Sequence, residues 1–422
     1  MYRNVINDLA AWYEENKRKI LCVKGAYGVG KTWTINDFAT AFFDEKVYID
    51  CSKEEYSSIT SSHESLDNAL NEQYKELDFS KCLLIFDEVQ YLDNCAQFFY
   101  EYAKIHRDYT ICLIASSMEI SEFEYTHPDV FKIIRMRPMS FEEYMIANKA
   151  NPFIAAIENQ KHTPLNNIEV QGILSLLREY MLVGGMPGIV NDFIKTKDYE
   201  MVRKAQNELI EKYNSIIKNS FNPAMYQRCR RIWRSIPKQL TRDNKKFMYR
   251  FVETNARSRE YSEATQYLCN LGIARKLPRL SKAALPLEDY VDYKAFELFF
   301  IDHGLLRAAF NLPINETITL EDIYTEKNGA IAEQYIFQEL SNKVGNLYYW
   351  TSGATARVPF VYEGDNTPVP VDIRFVENNK AQNIKTFRQK NPNTEIALKI
   401  SFEQVALQNN SLNIPIYGLW NM

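Results

Sequence analysis

The 422-residue chain has no uninterrupted apolar run long enough to cross a membrane, so no transmembrane helix is expected. Its seven cysteines include no CxxC pair, and its five histidines are isolated rather than spaced as metal ligands. A zinc site and a disulfide framework are therefore both unsupported, and the cysteines are interpreted as reduced, buried thiols. The opening stretch MYRNVINDLAAWYEENKRK lacks the apolar core of a signal peptide, so the protein is expected in the cytoplasm.

What the chain does contain is typical of a folded protein with a large core. Hydrophobic residues make up 46% of the sequence and charged residues 25%. Aromatic residues reach 13%, which supplies large side chains for buried clusters. One hydrophobic core does not grow to this length, so about two to four domains are expected.

The overall net charge of −4 conceals an uneven distribution. Between residues 228 and 282 there are fifteen Lys or Arg against four acids, so this segment is strongly basic and the remainder acidic. Such a block predicts a polyanionic partner, with duplex DNA as the leading candidate. The alternative is a solvated helical face that balances an acidic neighbouring domain.

Residues 25–32 read GAYGVGKT and match GxxxxGK[ST] at every fixed position. The apolar run KILCV precedes them and the helical pattern TINDFATAFF follows, which is the strand–loop–helix context that the motif requires. Lys31 would reach the β- and γ-phosphates of ATP, and the Thr32 hydroxyl would bind Mg²⁺. The predicted nucleotide-binding residues are Gly25, Ala26, Tyr27, Gly28, Val29, Gly30, Lys31, Thr32 and Trp33.

A second apolar run, LLIF, ends in Asp87 and Glu88. In P-loop proteins such a run is a buried parallel strand whose terminal carboxylate meets the metal. Asp87 is therefore expected to hold Mg²⁺ through water. Glu88 is expected to polarise the attacking water, which makes Glu88 and Lys31 the catalytic candidates.

Two further runs predict strands of the same sheet. YTICLIASS ends in Ser116 and Ser117, either of which could sense the γ-phosphate or equally well be an ordinary helix cap, and Ser117 is included in the predicted ATP site. VFKIIRMRP carries Arg135 and Arg137, which are interpreted as a basic edge strand; the alternative is that one of them contacts phosphate. With helical patterns in between, residues 1–138 are predicted to be an α/β domain with a parallel sheet.

From residue 139 the sequence becomes helical. MSFEEY opens with a capping box between Ser140 and Glu143. VGGMPGIV, at 183–190, predicts a turn between two helices. Residues 139–204 are therefore interpreted as a helical lid.

The basic segment lies in a predicted domain at 205–325. Helices are expected at about 226–236, 244–254 and 259–271, followed by a hairpin formed by GIARKLPRL and PLEDY. Three short helices and a hairpin are typical of a winged helix. A winged helix that contacts protein instead of DNA is the alternative, because the fold alone does not imply DNA.

The last predicted domain, 326–422, has the order helix–β–β–β–α–β, which is that of a restriction-endonuclease-like core. Active members place an Asp on one strand and an acid-x-Lys on the next to bind metal. Here the corresponding positions are Pro359 and the tripeptide Asp372-Ile373-Arg374.

Taken together, the chain resembles bacterial and archaeal AAA-type P-loop ATPases that carry a C-terminal conserved domain of unknown function. The stretches that carry the resemblance are GAYGVGKTW, LLIFDEVQ, PMSFEEYM, VGGMPGIV, SIPKQL, REYSEATQYLCNLGIARK, FELFFIDHGLL, AEQYIFQEL and LYYW. It implies an ATP-binding domain, a helical lid, a winged helix and a nuclease-like C-terminal domain. Relatives often show AEVDF and PIEVK where this chain has ARVPF and PVDIR.

These departures predict that the C-terminal domain lacks nuclease activity. Proline cannot bind a metal, and arginine cannot replace a titratable lysine. Asp372 and Glu333 remain as candidate residual ligands.

The leading hypothesis for the whole chain is an Mg²⁺-dependent ATPase that controls a DNA-binding winged helix. The alternative is an ATP-held switch or protein-binding module with little turnover. The oligomeric state is left open.

Overall fold

The chain folds into two units. The computed structural model describes residues 1–16, 19–117, 127, 129–325, 329–353, 356–375 and 382–422. The first unit comprises Met1–Arg137 with Asn270–Gly272, and the second comprises Pro138–Cys269 with Ile273–Met422. The expected boundaries inside the second unit, after residues 204 and 325, stay predictions, and the predicted start of the last domain at residue 326 lies outside the described residues.

The first unit is an α/β layer structure. Its elements are α1 Val5–Asn16, β1 Ile20–Lys24, α2 Lys31–Phe42, β2 Glu45–Asp50, α3 His63–Gln73, β3 Cys82–Asp87, α4 Cys95–Ile105, β4 Thr110–Ala115 and β5 Phe131–Arg135. The strands form one sheet in the order β2–β3–β4–β1–β5, and every pair is parallel. The predicted parallel sheet is confirmed.

Hydrophobicity along the strands explains their positions in this sheet. Every residue of β3 and of β4 is buried, as expected for inner strands that are covered on both faces. β5 lies at the sheet edge and exposes Lys132 and Arg135, which agrees with the expected basic edge strand. Because β1, β3 and β4 run parallel, their carboxyl ends lie at the same edge of the sheet, and the candidate site lies there.

The second unit begins with helices. They are α5 Phe141–Ala147, α6 Asn151–Asn159, α7 Asn167–Val183, α8 Pro187–Thr196, α9 Tyr199–Ser220, α10 Pro223–Leu240 and α11 Ser258–Asn270. The Ser140 side chain accepts from the Glu143 N–H at 3.2 Å, and the Glu143 carboxylate accepts from the Ser140 N–H at 2.9 Å, so the predicted capping box is present. The predicted turn between α7 and α8 is also found, with Gly184 at φ 85°.

The rest of the second unit is built around a mixed sheet. Its elements are β6 Ala274–Leu280, β7 Val291–Phe300, α12 His303–Ala309, α13 Leu320–Thr325, α14 Ala330–Lys343, β8 Leu347–Thr351, β9 Arg357–Glu363, β10 Pro368–Ile373, α15 Gln382–Lys390, β11 Ala397–Ser401, β12 Ala406–Gln408 and β13 Ser411–Pro415. The strand order is β12–β13–β11–β10–β9–β8–β6–β7. The order of elements from α14 to β11 is the one expected from the sequence.

The β6–β7 hairpin is part of this sheet. β6 pairs antiparallel with β7 and parallel with β8, through Arg279 opposite Tyr349 and Leu280 opposite Trp350. One sheet thus draws strands from both sides of the expected boundary at residue 325. No helix among the described residues is both long and apolar enough to cross a membrane.

Two expectations for the basic segment are wrong. The predicted helix at 244–254 is only a 3₁₀ turn, Tyr249–Phe251, because the Phe247 N–H donates to the Phe296 carbonyl of β7 at 2.8 Å. The predicted second hairpin strand, PLEDY, includes a 3₁₀ turn at Leu287–Tyr290, and β7 starts only at Val291. In the first of these places a hydrogen bond to a distant strand overrides the local helical pattern.

Candidate nucleotide site and the C-terminal ionic cluster

The loop between β1 and α2 holds the predicted phosphate-binding residues. Gly28 and Gly30 have φ values of 85° and 91°, in the left-handed region that favours glycine. A Cβ atom at Gly25 would lie 2.4 Å from the carbonyl oxygen of Met136, so no larger residue fits there without a backbone shift. α2 starts directly after this loop, with its first N–H groups unpaired within the helix. Such a cradle suits phosphate.

Lys31 lies inside this cradle with only 5% of its surface exposed. Its Nζ donates to the carbonyl oxygens of Gly25 at 2.9 Å and Ala26 at 3.1 Å, and to Ser116 Oγ at 2.9 Å. Burial lowers the pKa of this ammonium, and two nearby carboxylates oppose that shift. A buried cation held by neutral oxygens is able to exchange them for phosphate oxygens.

Thr32, in the first turn of α2, contacts Asp87, the last residue of β3. Thr32 Oγ1 donates to Asp87 Oδ2 at 2.6 Å, and Tyr48 OH donates to the same oxygen at 2.9 Å. The other carboxylate oxygen accepts from the Glu88 N–H at 2.8 Å. Burial and the Asp87 charge together raise the pKa of Tyr48, so the phenol stays protonated and acts as the donor.

A hydroxyl and a carboxylate are hard oxygen donors, which suit Mg²⁺. The described residues contain no cluster of three or more His, Cys, Asp or Glu that could hold a metal by itself. A P-loop site needs no such cluster, because phosphate oxygens and water complete the coordination. Thr32 and Asp87 therefore fit the metal position that the sequence predicts for them.

Glu88 follows β3 in a left-handed conformation, with φ at 54°. Its Oε1 accepts from Ser116 Oγ at 2.8 Å, and its Oε2 accepts from the Gln90 amide nitrogen. Gln90 also accepts from the Ser116 N–H at 3.2 Å. Both oxygens of Glu88 are thus held by neighbouring side chains, and one of them connects through Ser116 to Lys31.

The two serines after β4 differ in their environment. Ser116 is buried and contacts both Lys31 and Glu88, whereas Ser117, the serine included in the predicted site, is half-buried. The structure therefore places Ser116 at the centre of the network. The predicted residues Tyr27 and Trp33 lie on the surface, 41% and 51% exposed.

Three residues that sequence reasoning missed support the site. Tyr48 lies in β2 and contacts Asp87, and Gln90 contacts Glu88. Arg3 is buried and donates from Nη1 to the Val29 carbonyl oxygen of the loop at 2.6 Å. No sequence signal marks Arg3, because 26 residues separate it from its loop partner.

The second unit contains a buried ionic cluster where residual metal ligands were expected. Arg357 contacts Glu297 at 2.6 Å and Glu333 at 3.0 Å, and Lys245 contacts Glu333 at 2.7 Å. Burial alone would raise the pKa of Glu333, but Arg357 and Lys245 outweigh burial and hold it at about 2. Glu333 is therefore already neutralised by protein cations.

The other candidate ligand has a cation of its own. Asp372 pairs with Arg374 Nε at 2.7 Å, and Pro359 lies within β9. Burial raises the pKa of Asp372, which Arg374 partly offsets. Asp372 and Glu333, the two candidate residual ligands, are thus both engaged in ion pairs with arginine.

We expect Arg357→Met to destabilise the second unit by about 3 to 5 kcal/mol, because it leaves buried carboxylates without their cation. Denaturant unfolding followed by circular dichroism measures this. Arg279→Met is the matched control: its partner Asp292, at 2.6 Å, is partly exposed, so the loss should be at most about 1 kcal/mol. Equal losses would contradict the prediction.

The same cluster predicts an acid dependence. Glu333 has a pKa below that of an unfolded glutamate, so its stabilising contribution is present at neutral pH. That contribution should be lost as the pH falls from about 4.5 towards 2. The stability difference between wild type and Arg357→Met should therefore shrink over this range.

Comparison with known proteins extends these observations. Residues 17–145 match a family model described as an AAA domain. Residues 174–316 and 328–419 match two models described as domains of unknown function, DUF8612 and DUF4143. The resemblance to AAA-type ATPases with a C-terminal domain of unknown function is confirmed. The first unit has the P-loop NTPase fold, and its similarity to AAA domains supports nucleotide binding.

Solved structures give only distant similarity. The Orc1 protein of Aeropyrum pernix in complex with DNA has 12% identity and a TM-score of 0.33, covering 73% of this chain and 91% of its own. The RuvB Holliday junction branch migration motor of Thermotoga maritima has 12% identity and a TM-score of 0.33, covering 66% and 90%. TM-scores this low support no conclusion about the function of this chain. No curated protein sequence matches the chain.

Proposed function

We propose that the protein is an Mg²⁺-dependent ATPase whose nucleotide state controls a DNA-binding winged-helix module. The observation that carries the proposal is the continuous hydrogen-bond network of Lys31, Ser116 and Glu88 beside the Thr32–Asp87 pair. A phosphate-binding cation, a metal-binding pair and a carboxylate for water activation thus lie together at the carboxyl edge of one parallel sheet.

Each residue has one role in this proposal. Lys31 exchanges its carbonyl partners for the β- and γ-phosphate oxygens of ATP. Thr32, through its hydroxyl, and Asp87, through water, would hold Mg²⁺, and the bound ion would supply positive charge that offsets the charge of the phosphates. Glu88 accepts a hydrogen bond from the attacking water and orients it. Ser116 positions both Glu88 and Lys31, because its hydroxyl contacts the two side chains.

A second candidate function is a nucleotide-held switch with little turnover. Both carboxylate oxygens of Glu88 already accept a hydrogen bond, one from Ser116 and one from Gln90, so an attacking water must use the remaining lone pairs of a carboxylate that is already held in place. Turnover would also be slow if an arginine that neutralises the transition state comes from a neighbouring subunit. In this case ATP binding alone sets the conformation.

The proposed DNA-binding module uses the basic segment 228–282. α10 and α11 are followed by the antiparallel hairpin β6–β7, an arrangement that supports a winged helix with β6–β7 as its wing. The charge of the segment suits the phosphate backbone of duplex DNA. Because Pro359 and Arg374 replace metal-binding chemistry, we propose that the 326–422 domain is a structural or binding module.

The experiment that tests this function is ATP hydrolysis by the purified full chain, with and without duplex DNA. Glu88→Gln serves as the blank. Turnover that requires Glu88 and rises with DNA supports the DNA-coupled ATPase. ATP binding without turnover in both conditions favours the switch, and absence of ATP binding contradicts both candidates. Mg²⁺-dependent cleavage of the DNA that is lost in Asp372→Ala would overturn the inactive-nuclease proposal.

Tyr48→Phe should raise the Mg²⁺ concentration for half-maximal ATP hydrolysis about tenfold, because it removes a hydrogen bond that orients the metal-binding Asp87. An Mg²⁺ titration of the initial rate measures the shift. Tyr56→Phe is the control, since Tyr56 OH donates at 2.8 Å to Gln73, away from the metal pair. An unchanged Mg²⁺ dependence in Tyr48→Phe would remove its positioning role.

A further inference from the structure

The exposed face of α10 carries only positive charge. Pro223–Leu240 contains five Arg or Lys and no acid. Arg231, Arg234 and Lys238 are exposed at spacings of three and four residues, so they lie on one face of the helix. Arg242, also exposed, follows the helix end by two residues and extends the same spacing.

Most of these cations lack a counter-charge. Within the described part of the chain, Arg234 and Lys238 make no ion pair, whereas Arg231 pairs with Glu253. Arg242 lies over the Phe251 ring, with its guanidinium carbon 3.8 Å from the ring centroid. The aromatic contact holds a guanidinium in place without neutralising it.

α11, which would enter the major groove in a winged helix, has a different surface. Its exposed residues include the acids Glu260 and Glu263, and Arg259 Nε lies 3.8 Å from Glu260 Oε1. With Arg257 just before the helix, its basic and acidic exposed groups balance. The unbalanced positive charge therefore lies on α10 rather than on the helix that reads bases in this fold.

We infer that the Arg234–Lys238–Arg242 face binds the sugar-phosphate backbone of duplex DNA without regard to base sequence; this inference rests on the proposed function. Arg234 and Lys238 lie four residues apart on α10, a rise of about 6 Å, and Arg242 follows two residues beyond the helix end, so the three cations can reach two or three successive phosphates. Phosphate contacts of this type hold a protein on the duplex but carry no sequence information. α10 is thus the anchoring helix.

The test is fluorescence anisotropy of labelled 30-base-pair duplexes of two unrelated sequences, titrated with the full chain at several salt concentrations. The variant Arg234→Gln/Lys238→Gln/Arg242→Gln should weaken binding of both duplexes about equally, by at least about tenfold at low salt. The slope of log K against log salt should fall in magnitude by about 2 to 3, because three phosphate contacts are lost. Its ATP hydrolysis without DNA should equal that of the wild type.

A matched triple variant, Arg257→Gln/Arg259→Gln/Lys276→Gln, removes the same charge from α11 and the β6–β7 hairpin and should change the slope less. Arg234→Lys/Arg242→Lys should retain most of the affinity, which separates charge from folding defects. The inference is overturned if the α10 variant binds like wild type, or if the control variant loses more. Wild-type protein that binds neither duplex would overturn the DNA part of the proposed function as well.

Discussion

Lys31→Ala should weaken ATP binding at least about 100-fold, the largest loss we expect from a single substitution. The ammonium lies inside the phosphate cradle, and charge-assisted hydrogen bonds to phosphate are among the strongest in proteins. Loss of two such bonds at about 1.5 to 3 kcal/mol each accounts for this magnitude. Trp33 is exposed two residues away, so its fluorescence offers a direct binding signal.

The control for this prediction separates charge from packing. Lys31→Met keeps the aliphatic stem of this nearly buried side chain and removes only the ammonium. Both variants should bind ATP equally poorly, while Lys31→Met should have the more nearly wild-type thermal stability. ATP affinity that stays within about twofold of wild type in Lys31→Met would remove the assigned role of Lys31.

Glu88→Gln should preserve ATP binding and slow hydrolysis by about 10²- to 10⁴-fold, the range for loss of a general base. The amide is nearly the same size as the carboxylate, and Ser116 Oγ can accept from it instead of donating, so the local hydrogen bonds persist. What the variant lacks is the negative charge that orients water. Single-turnover hydrolysis of radiolabelled ATP, with affinity measured in parallel, separates the two effects.

A neighbouring acid provides the matched control. Asp50 ends β2 and lies opposite Asp87 in the β2–β3 register, and its carboxylate accepts from Ser52. Asp50→Asn removes the same charge close by and should leave turnover within about twofold of wild type. If Glu88→Gln and Asp50→Asn hydrolyse ATP equally fast, Glu88 is not the water-activating group.

Local sequence was sufficient to predict the loop and the strands that form the candidate nucleotide site. The GxxxxGK[ST] spacing requires glycines with positive φ, and the observed φ values of Gly28 and Gly30 meet that requirement. The apolar run before Asp87 predicted a buried strand and the run before Ser116 a strand of the same sheet, and every residue of β3 and of β4 is buried. These features depend on residues that are close together in the sequence, so a sequence pattern can predict them.

The supporting residues were not predictable in this way. Tyr48 reaches Asp87 only because β2 pairs with β3. Arg3 contacts the Val29 carbonyl although 26 residues separate the two in the sequence. The choice of Ser116 over Ser117 depends on which side of β4 faces Lys31. Contacts between residues that are distant in the chain leave no periodic signal.

The sequence by itself determined the phosphate cradle, the parallel sheet, the capping box and the concentration of positive charge between residues 228 and 282, since each follows from residue types at short spacing. Tertiary structure alone decided that Phe247 bonds to β7 where a helix was expected at 244–254, and that β6 joins β8 in one sheet. It also decided that Arg357 neutralises Glu333. Burial and strand pairing outweigh local helix propensity when a distant strand offers hydrogen-bond partners.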